Sequence, residues 1–154
     1  MIINALLMMF SIVCGLLLLL RYFFEIIQVK QTSMLPTLKD GDKVLVFRHL
    51  PKYWLKKNEI VIIRPILKNS DPYKCPPYIK RIVGLQEDVV NITVNKYYEE
   101  KNIIRNLKLF YKLKIPKGFI FVQGDSQYST DSREWGPIPI NNVIGIVIYK
   151  FSNQ

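Results

Sequence analysis

The first twenty residues, MIINALLMMFSIVCGLLLLL, are strongly apolar and carry no charged side chain. A helix of this length spans about 30 Å, which matches the hydrocarbon core of a bilayer. A cleaved secretory signal would have a positive n-region, a shorter apolar stretch and small residues at its cleavage site. Here Arg21 is the first basic residue, and three bulky aromatics follow at 22–24. The pattern therefore predicts an uncleaved transmembrane anchor over residues 1–25, with those aromatics at the membrane interface.

The rest of the chain alternates between short apolar runs and turn signals rich in Gly, Pro, Asn and Asp. This alternation is typical of a mainly β domain with long connections. We therefore predict one domain of short antiparallel strands over residues 26–154, behind a single N-terminal transmembrane helix. The predicted strands are 25–30, 43–47, 59–63, 78–83, 88–94, 119–123 and 143–151, with a hairpin within 95–114 and loops at 64–77 and 124–137.

Composition excludes several kinds of site. The 154 residues include one His and two Cys, which excludes a site with two His ligands, a Cys-rich zinc site and a disulfide-rich scaffold. Cys14 falls within the predicted anchor, so a Cys14–Cys75 disulfide is not expected, and no metal or organic cofactor is implied. The formal charge is +10, but Lys and Arg form no block, so nucleic acid is not an expected partner. A basic surface beside anionic lipid and an ordinary solvated face both fit this charge.

A serine can be activated as a nucleophile by a histidine or by a neutral lysine. His49 lies in a basic segment, and we interpret it as structural or incidental. Free lysine has a pKa of about 10.4, so only about one in 2,500 is neutral at pH 7 unless burial lowers that pKa. On its predicted strand, Lys80 shares a face with Tyr78 and Ile82, while Arg81 points the other way. Lys80 is therefore a candidate base, although a solvent-facing lysine fits the strand pattern as well.

Four motifs stand in a fixed order behind the predicted anchor. Together they resemble the type I signal peptidase family, whose members include bacterial leader peptidases and mitochondrial inner-membrane peptidase subunits. One such motif arises easily by chance, whereas four in order form a specific signal over nearly the whole chain. The motifs are SMLPTL from Ser33, GDKVLV from Gly41, KRIVG from Lys80 and GDSQYSTDSREWGP from Gly124.

The resemblance implies a signal-peptidase-like β domain with a Ser-Lys catalytic dyad. In that comparison Ser33 is the nucleophile and Lys80 is the general base. Ser33 would attack the scissile carbonyl while Lys80 takes its proton and later returns it to the leaving amine. Ser129 is implied to orient the Lys80 amine through a hydrogen bond.

Four further residues are implied to have structural roles near the site. Asp125, Asp131 and Arg133 are expected to hold the last loop against Arg81 through paired charges.

Three departures from the family pattern change the expected details. Where many bacterial members have a serine that adds a hydroxyl to the oxyanion hole, this chain has Gln31, whose amide is the candidate donor. The loop 84–88 lacks the usual Pro-Gly before its Asp, so we expect it to adopt another conformation. The last motif is one residue shorter than usual, which leaves Ser126 or Thr130 as alternatives to Ser129.

The implied activity is that of a membrane-anchored serine endopeptidase that removes N-terminal signal peptides from translocated precursors. Family members bind the precursor as an added extended strand and recognise small side chains at the first and third positions before the cut. We expect the pocket residues on strands near Ser33 and near Tyr78. The lipid bilayer is the second implied partner, and the need for a partner subunit is left open.

Two other functions fit parts of the sequence. A self-cleaving Ser-Lys protein of the LexA-like type shares the catalytic fold, but it would have a DNA-binding helix-turn-helix in place of the apolar run. A non-catalytic or partner-dependent subunit that binds targeting peptides would not require both Ser33 and Lys80.

The resemblance also implies a location. We expect a single-pass protein of a bacterial plasma membrane with its catalytic domain on the outer face, where the cleavage site of a translocated precursor emerges. The mitochondrial inner membrane is the alternative, and the absence of a presequence before the anchor favours bacteria. The endoplasmic reticulum enzymes are disfavoured because they have His in place of Lys80. The positive-inside rule alone predicts the opposite orientation, since Lys and Arg follow the anchor and none precedes it.

Overall fold

The computed structural model describes residues 2–49, 51–64, 76–100 and 103–151. Within these ranges, one long helix is followed by a mainly antiparallel β structure, which confirms the predicted fold class. Most of the predicted loop 64–77, including Cys75, lies outside the described residues. The helices and strands are α1 (Ile2–Phe23), β1 (Phe24–Gln28), β2 (Lys43–Arg48), β3 (Ile60–Ile63), β4 (Tyr78–Gly84), β5 (Val89–Glu100), β6 (Ile103–Lys114), β7 (Phe119–Gln123), α2 (Ser132–Trp135), β8 (Ile138–Pro139) and β9 (Val143–Phe151).

Helix α1 is long and apolar enough from Ile3 to Phe23 to cross a membrane. Aromatic rings join its end to the sheet. The Tyr22 ring stacks on His49 with 4.2 Å between centroids, and the Phe23 ring stacks on Phe47 at 5.8 Å. Two of the aromatics predicted for the membrane interface therefore also contact the β domain, and His49 has a structural contact that the sequence did not reveal.

The sheet places the KRIVG motif, which begins at Lys80, on an interior strand. The described strands pair in the order β1-β2-β9-β3-β4-β7-β8, and each neighbouring pair is antiparallel. Strand β4 lies between β3 and β7, with Lys80 opposite Val61 of β3. Both neighbours supply apolar side chains, so the face of β4 that carries Lys80 and Ile82 is buried.

The apolar core also holds the turn that contains Ser33. Met34 and Leu38, which belong to that turn, are each 1% exposed. Burying an apolar side chain of this size contributes about 1.5–3 kcal/mol to the free energy of folding. The two side chains therefore stabilise the position of the turn against the sheet. The buried residues packed with them are Val29, Val44, Val46 and Ile62.

The region from 88 to 114 differs from the predicted strand followed by a separate hairpin. Strands β5 and β6 are the two arms of one long hairpin, with Val89 opposite Lys114 at its base. The sequence placed a break near residue 94 because polar and aromatic residues there interrupt the apolar alternation. Gly84 lets β4 approach the hairpin, since a Cβ at this position would lie only 2.6 Å from Val90 Cγ1 and closer still to Ile115.

The loop 84–88 has a left-handed residue at Glu87. Glu87 occupies the position where the family usually has glycine, and its backbone has a φ of +68°, in the left-handed region that favours glycine. Its N–H donates to the carbonyl of Ile115 at 2.8 Å, and its carboxylate pairs with Lys114 at 2.9 Å. Contacts with Ile115 and Lys114 at the base of the hairpin therefore hold Glu87 in a left-handed backbone conformation, and a loop conformation different from that of other family members stays a prediction.

We expect Glu87→Gly to be more stable than Glu87→Ala by about 1 kcal/mol. Both variants lose the ion pair with Lys114, but only Ala retains the cost of a left-handed backbone. Chemical unfolding of the two purified proteins in the same detergent measures the difference. If the two variants unfold with equal denaturant midpoints and slopes, the left-handed backbone at position 87 does not strain an alanine.

Candidate active site

The turn that carries Ser33 is fixed by the loop that follows β7. The carbonyl of Ser33 accepts a hydrogen bond from the N–H of Ser126 at 3.0 Å. The hydroxyl of Thr37, at the far end of the turn, donates to the carboxylate of Asp125. The first and last motifs of the sequence are therefore in direct contact through main chain and side chain.

The last strand holds the same turn from another direction. Lys150 Nζ donates to the carbonyl of Thr37 at 3.0 Å and pairs with the Asp42 carboxylate at 2.7 Å. Asp42 also accepts from the N–H of Lys39 at 2.7 Å, and these bonds lower its pKa, with the Lys150 hydrogen bond as the largest cause. Sequence reasoning missed Lys150, since no motif surrounds it and its role depends on β9 lying beside β2.

Lys80 is the most unusual buried residue. Its side chain is 1% exposed, and its Nζ lies 5.8 Å from the centre of the Tyr78 ring. Nζ donates to Ser129 Oγ at 2.8 Å. Burial lowers the pKa of Lys80; Asp131 opposes this effect and Arg133 adds to it. The alternation on β4 thus produces the desolvated lysine that the sequence predicted, and the structure places Ser129 at hydrogen-bond distance from it.

Two ion pairs support the loop, and they involve the four charged residues that the sequence singled out. Arg81 pairs with Asp125, with Nη2 and Oδ2 2.6 Å apart, and this pair lowers the Asp125 pKa. Asp131 and Arg133 instead pair with each other at 2.7 Å. Of these three loop residues, Asp125 therefore joins the loop to Arg81, while Asp131 and Arg133 form a pair within the loop.

Asp131 has a separate task because it begins the short helix α2. Its carboxylate accepts from the N–H of Arg133 at 3.1 Å, which is a helix N-cap. It also accepts from the N–H of Gly124 at 2.8 Å, across the base of the loop. The side chain of Asp131 is fully buried, so these bonds determine the shape of the loop. The predicted loop 124–137 thus contains a helical turn.

Gly124 allows Ser33 and Ser129 to approach each other. A Cβ at this position would lie 2.5 Å from the carbonyl oxygen of Ser33 and even closer to the side chain of Ser129. Any residue larger than glycine must therefore displace the serine turn, the Lys80 partner or both. The sequence marked Gly124 only as part of a motif, because this requirement comes from contacts across the fold.

The predicted nucleophile, base, oxyanion donor and positioning serine line one cavity. We name it the polar cavity; it has a volume of about 500 Å³ and is lined by Gln31, Ser33, Tyr78, Lys80, Ser126, Tyr128, Ser129 and neighbouring threonines. Ser33, Lys80 and Ser129 are thus brought to one space. Among the residues that the structure describes, no cluster of His, Cys, Asp and Glu is placed to hold a metal ion.

A second depression continues from the first. We name it the apolar groove; it has a volume of about 320 Å³ and runs between residues 27–31 and residues 76–79, with Met34 and Ile62 also lining it. It shares Gln31, Ser33 and Tyr78 with the polar cavity. Both segments that the sequence predicted as pocket walls, near Ser33 and near Tyr78, therefore line it.

Gln31 lies at the junction of the two depressions. Its φ is +79°, and its N–H donates to the Asp40 carboxylate at 2.7 Å. The side chain is exposed at the rim. A donor role toward an oxyanion remains a prediction for this residue.

Comparison with known proteins agrees with this arrangement. Residues 2–151 match the family model described as signal peptidase, peptidase S26. The chain is 34% identical over 140 residues to thylakoidal processing peptidase 1, chloroplastic, of Arabidopsis thaliana, covering 80% of this chain and 40% of that protein. It is 32% identical over 161 residues to signal peptidase I of Bacillus amyloliquefaciens, covering 91% of this chain and 80% of that protein.

Coverage differs between these groups of relatives. The chain spans only about two fifths of the thylakoidal peptidases but 74% of probable signal peptidase I-1 of Synechocystis, to which it is 30% identical over 150 residues, or 87% of this chain. The family match extends over the apolar helix, the sheet and every motif that meets at the polar cavity. The chain therefore belongs to the signal peptidase family, peptidase S26, as its four motifs predicted.

Proposed function

We propose that the chain is a membrane-anchored serine endopeptidase that removes N-terminal signal peptides from translocated precursors. One observation carries the proposal most strongly. The buried Lys80 amine donates to Ser129 Oγ at 2.8 Å, at the cavity that Ser33 also lines. Among the residues that the structure describes, no carboxylate forms an ion pair with Lys80 Nζ, and a lysine buried in this way is poorly suited to hold a charge and well suited to accept a proton.

The chemistry requires only the groups at this cavity. Ser33 Oγ attacks the carbonyl carbon of the scissile peptide while its proton passes to neutral Lys80. The C–N bond then breaks, Lys80 gives the proton to the departing amine, and an ester to Ser33 remains. Water attacks this ester while one of its protons passes to Lys80, and Lys80 then gives that proton to Ser33 Oγ as the bond from Ser33 to the carboxylic acid product breaks. Ser129 acts as a positioning residue that holds the Lys80 amine.

The developing oxyanion needs donors beside Ser33. The backbone N–H of Ser33 is one donor, and the amide of Gln31 is the proposed side-chain donor. The position of Gln31 at the junction of the polar cavity and the apolar groove supports this role. A single donor of this kind typically contributes about 3–4 kcal/mol to the transition state.

The apolar groove suits the signal peptide. An extended segment bound between residues 27–31 and 76–79 would run beside β1 and the start of β4, where main-chain bonds supply affinity and alternate side chains enter pockets. Small side chains at the first and third positions before the cut would enter this groove where it meets Ser33.

The anchor places this site beside a bilayer. Residues 1–25 form the proposed transmembrane anchor and residues 26–154 the catalytic domain, which faces the side where precursors emerge. A bacterial plasma membrane is the proposed location, and a mitochondrial inner membrane is the alternative. Similarity to a protein named as a mitochondrial inner membrane protease subunit, and to bacterial proteins named as signal peptidase I, supports both alternatives.

A partner-dependent peptidase is the second candidate function. The mitochondrial ATP-independent inner membrane protease subunit 1b of Arabidopsis thaliana is 33% identical over 123 residues, and its name marks it as one subunit. A chain of that kind would bind targeting peptides and cut only with its partner.

Cleavage of a model precursor with Ala at the first and third positions before the cut tests both candidates. Purified protein in detergent should cut after the second Ala, as mass spectrometry of the products would show. Ser33→Ala should abolish cutting. Ser129→Ala should lower it by about 10²-fold, and Ser126→Ala by less, because Ser129 is the hydroxyl bonded to Lys80. Binding without cutting by the wild type would favour the partner-dependent candidate.

Lys150→Met should lower kcat by about 10- to 100-fold and leave KM nearly unchanged. The substitution removes the bonds to Thr37 and Asp42, so the turn that carries Ser33 loses one of its supports. A displacement of about 1 Å at a nucleophile costs roughly 100-fold. Lys114→Met, which removes an ion pair on the hairpin, is the matched control. Equal kcat values for the two variants would contradict a positioning role, and Lys150→Arg should restore part of the loss.

A further inference from the structure

The polar cavity and the apolar groove form one path across Ser33. They share Gln31, Ser33 and Tyr78, so a bound peptide can cross from one to the other at the nucleophile. An extended peptide advances about 3.3 Å per residue, which places neighbouring residues of the substrate on opposite sides of Ser33. One side is apolar, and the other is formed by the loop between β7 and α2.

This path assigns a direction to the substrate. Under the proposed function, on which this inference rests, the residues before the cut occupy the apolar groove. The residues after the cut must then leave along the loop that contains Ser126, Tyr128 and Thr130, all of which line the polar cavity. The new amino terminus of the mature protein is released at this end.

Tyr128 is the prominent side chain of that exit. It is 88% exposed, although it lines the polar cavity next to buried Ser129. A tyrosine presents a large amphipathic surface with only two rotatable side-chain bonds, so contact with a ligand costs it little entropy. A ring in this position is placed to pack against a passing side chain.

The backbone beneath Tyr128 is held firmly. Ser129 is fixed by the bond from Lys80. Arg133 Nη2 donates to the carbonyl of Ser129 at 3.2 Å and to that of Ser126 at 3.4 Å. The N–H of Tyr128 donates to Ser126 Oγ at 3.4 Å. The loop thus presents an exposed ring from a braced base, which is the arrangement that a specificity contact requires.

We propose that Tyr128 is a specificity-determining residue that packs against the first residue after the cut and favours a large apolar side chain there. The contact lies on the leaving side of the scissile bond, opposite the pockets for small residues. It acts on the choice among precursors and leaves the chemistry to Ser33 and Lys80. One apolar contact at an open rim is expected to change kcat/KM between two substrates by about tenfold.

Two precursor peptides that differ only in the first residue after the cut, Leu or Ala, test the proposal. Wild type should show a kcat/KM about tenfold higher for Leu. Tyr128→Ala should bring the ratio near one, and Tyr128→Phe should keep it. Tyr53→Ala is the matched control, since Tyr53 is 82% exposed in another part of the surface and should leave the ratio unchanged. A ratio that Tyr128→Ala does not alter overturns the proposal.

Binding of the same two peptides separates this contact from the chemistry. In a Ser33→Ala background, fluorescence anisotropy should show tighter binding of the Leu peptide, and the preference should disappear when Tyr128→Ala is added. If the Leu peptide binds more tightly but wild type cuts neither peptide, the proposed peptidase function fails while the Tyr128 contact stands. Equal binding of both peptides in the Ser33→Ala background overturns the contact itself.

Discussion

Replacing Lys80 by Met should lower the rate of precursor cleavage by about 10⁴-fold, at the upper end of what general acid–base catalysis supplies. Met has a similar length and fills the same buried position, so the fold should persist while the proton acceptor is lost. The structure places no second lysine at the polar cavity among the residues it describes. No neighbouring amine therefore stands ready to replace Lys80.

The pH dependence of the wild type should carry the signature of this lysine. Because burial lowers the pKa of Lys80, the rate should rise with pH and reach half its maximum below the usual lysine value of about 10.4. Lys52 is a useful control, since burial also lowers its pKa but it lies outside the cavity, where it donates to the carbonyl of Val143. Lys52→Met should retain the pH profile of cleavage.

Stability should respond to pH in the same window. Between the lowered pKa of folded Lys80 and the value of about 10.4 in the unfolded chain, the unfolded state binds more protons. The free energy of unfolding of the wild type therefore gains a component that rises with pH in this window, and Lys80→Met lacks that component. Denaturant unfolding of both proteins from pH 7 to 10 should show their difference shifting in favour of the wild type. A neutral Lys80 would be contradicted if the difference in free energy of unfolding between the two proteins did not change with pH. Cleavage by Lys80→Met at the wild-type rate would contradict it as well.

Gly124→Ala should reduce cleavage by about 10²- to 10³-fold, the second largest effect that we expect. The added Cβ would lie 2.5 Å from the Ser33 carbonyl and would overlap the side chain of Ser129. Real atoms do not approach so closely, so the serine turn and the Lys80 partner must move apart. Misplacing a nucleophile by about 1 Å costs roughly 100-fold, and loss of the Ser129 contact adds to that.

Two variants separate this effect from a general loss of stability. Gly145→Ala creates a similar clash in the sheet, with Val46 Cγ1 at 2.6 Å and the Phe47 carbonyl at 2.8 Å. It should destabilise the protein while kcat of the folded fraction stays near that of wild type. Adding Ser129→Gly to Gly124→Ala should relieve only the clash with Ser129. Wild-type kcat for Gly124→Ala would show that the close approach is not needed.

The sequence alone predicted the features that depend on local periodicity. A continuous apolar run specifies α1, because a helix of that length and composition follows from its own residues. Alternation on β4 predicted that Lys80 and Ile82 share one face, since successive side chains of a strand point to opposite sides. The predicted strands 43–47 and 119–123 correspond closely to β2 and β7 for the same reason.

Loop geometry has no such period, so the sequence did not specify which partners the loop side chains contact. The hydroxyl that contacts Lys80 was left open among Ser126, Ser129 and Thr130, because the direction of each side chain depends on how the loop is braced. The sequence did not specify the partners of Asp131, which caps α2 and accepts a bond from the N–H of Gly124. Glu87 takes a left-handed backbone because the hairpin holds it there.

By itself, therefore, the sequence determined an apolar helix, a mainly β domain and a lysine on an apolar strand face, together with the family that its motifs indicate. The tertiary structure alone decided which hydroxyl contacts Lys80, why Gly124 has no side chain and how Lys150 supports the serine turn. The physical reason is the range of the interactions. Side-chain periodicity acts between neighbours in the chain, whereas these contacts join segments as distant as Thr37 and Lys150, which are brought together only when the sheet forms.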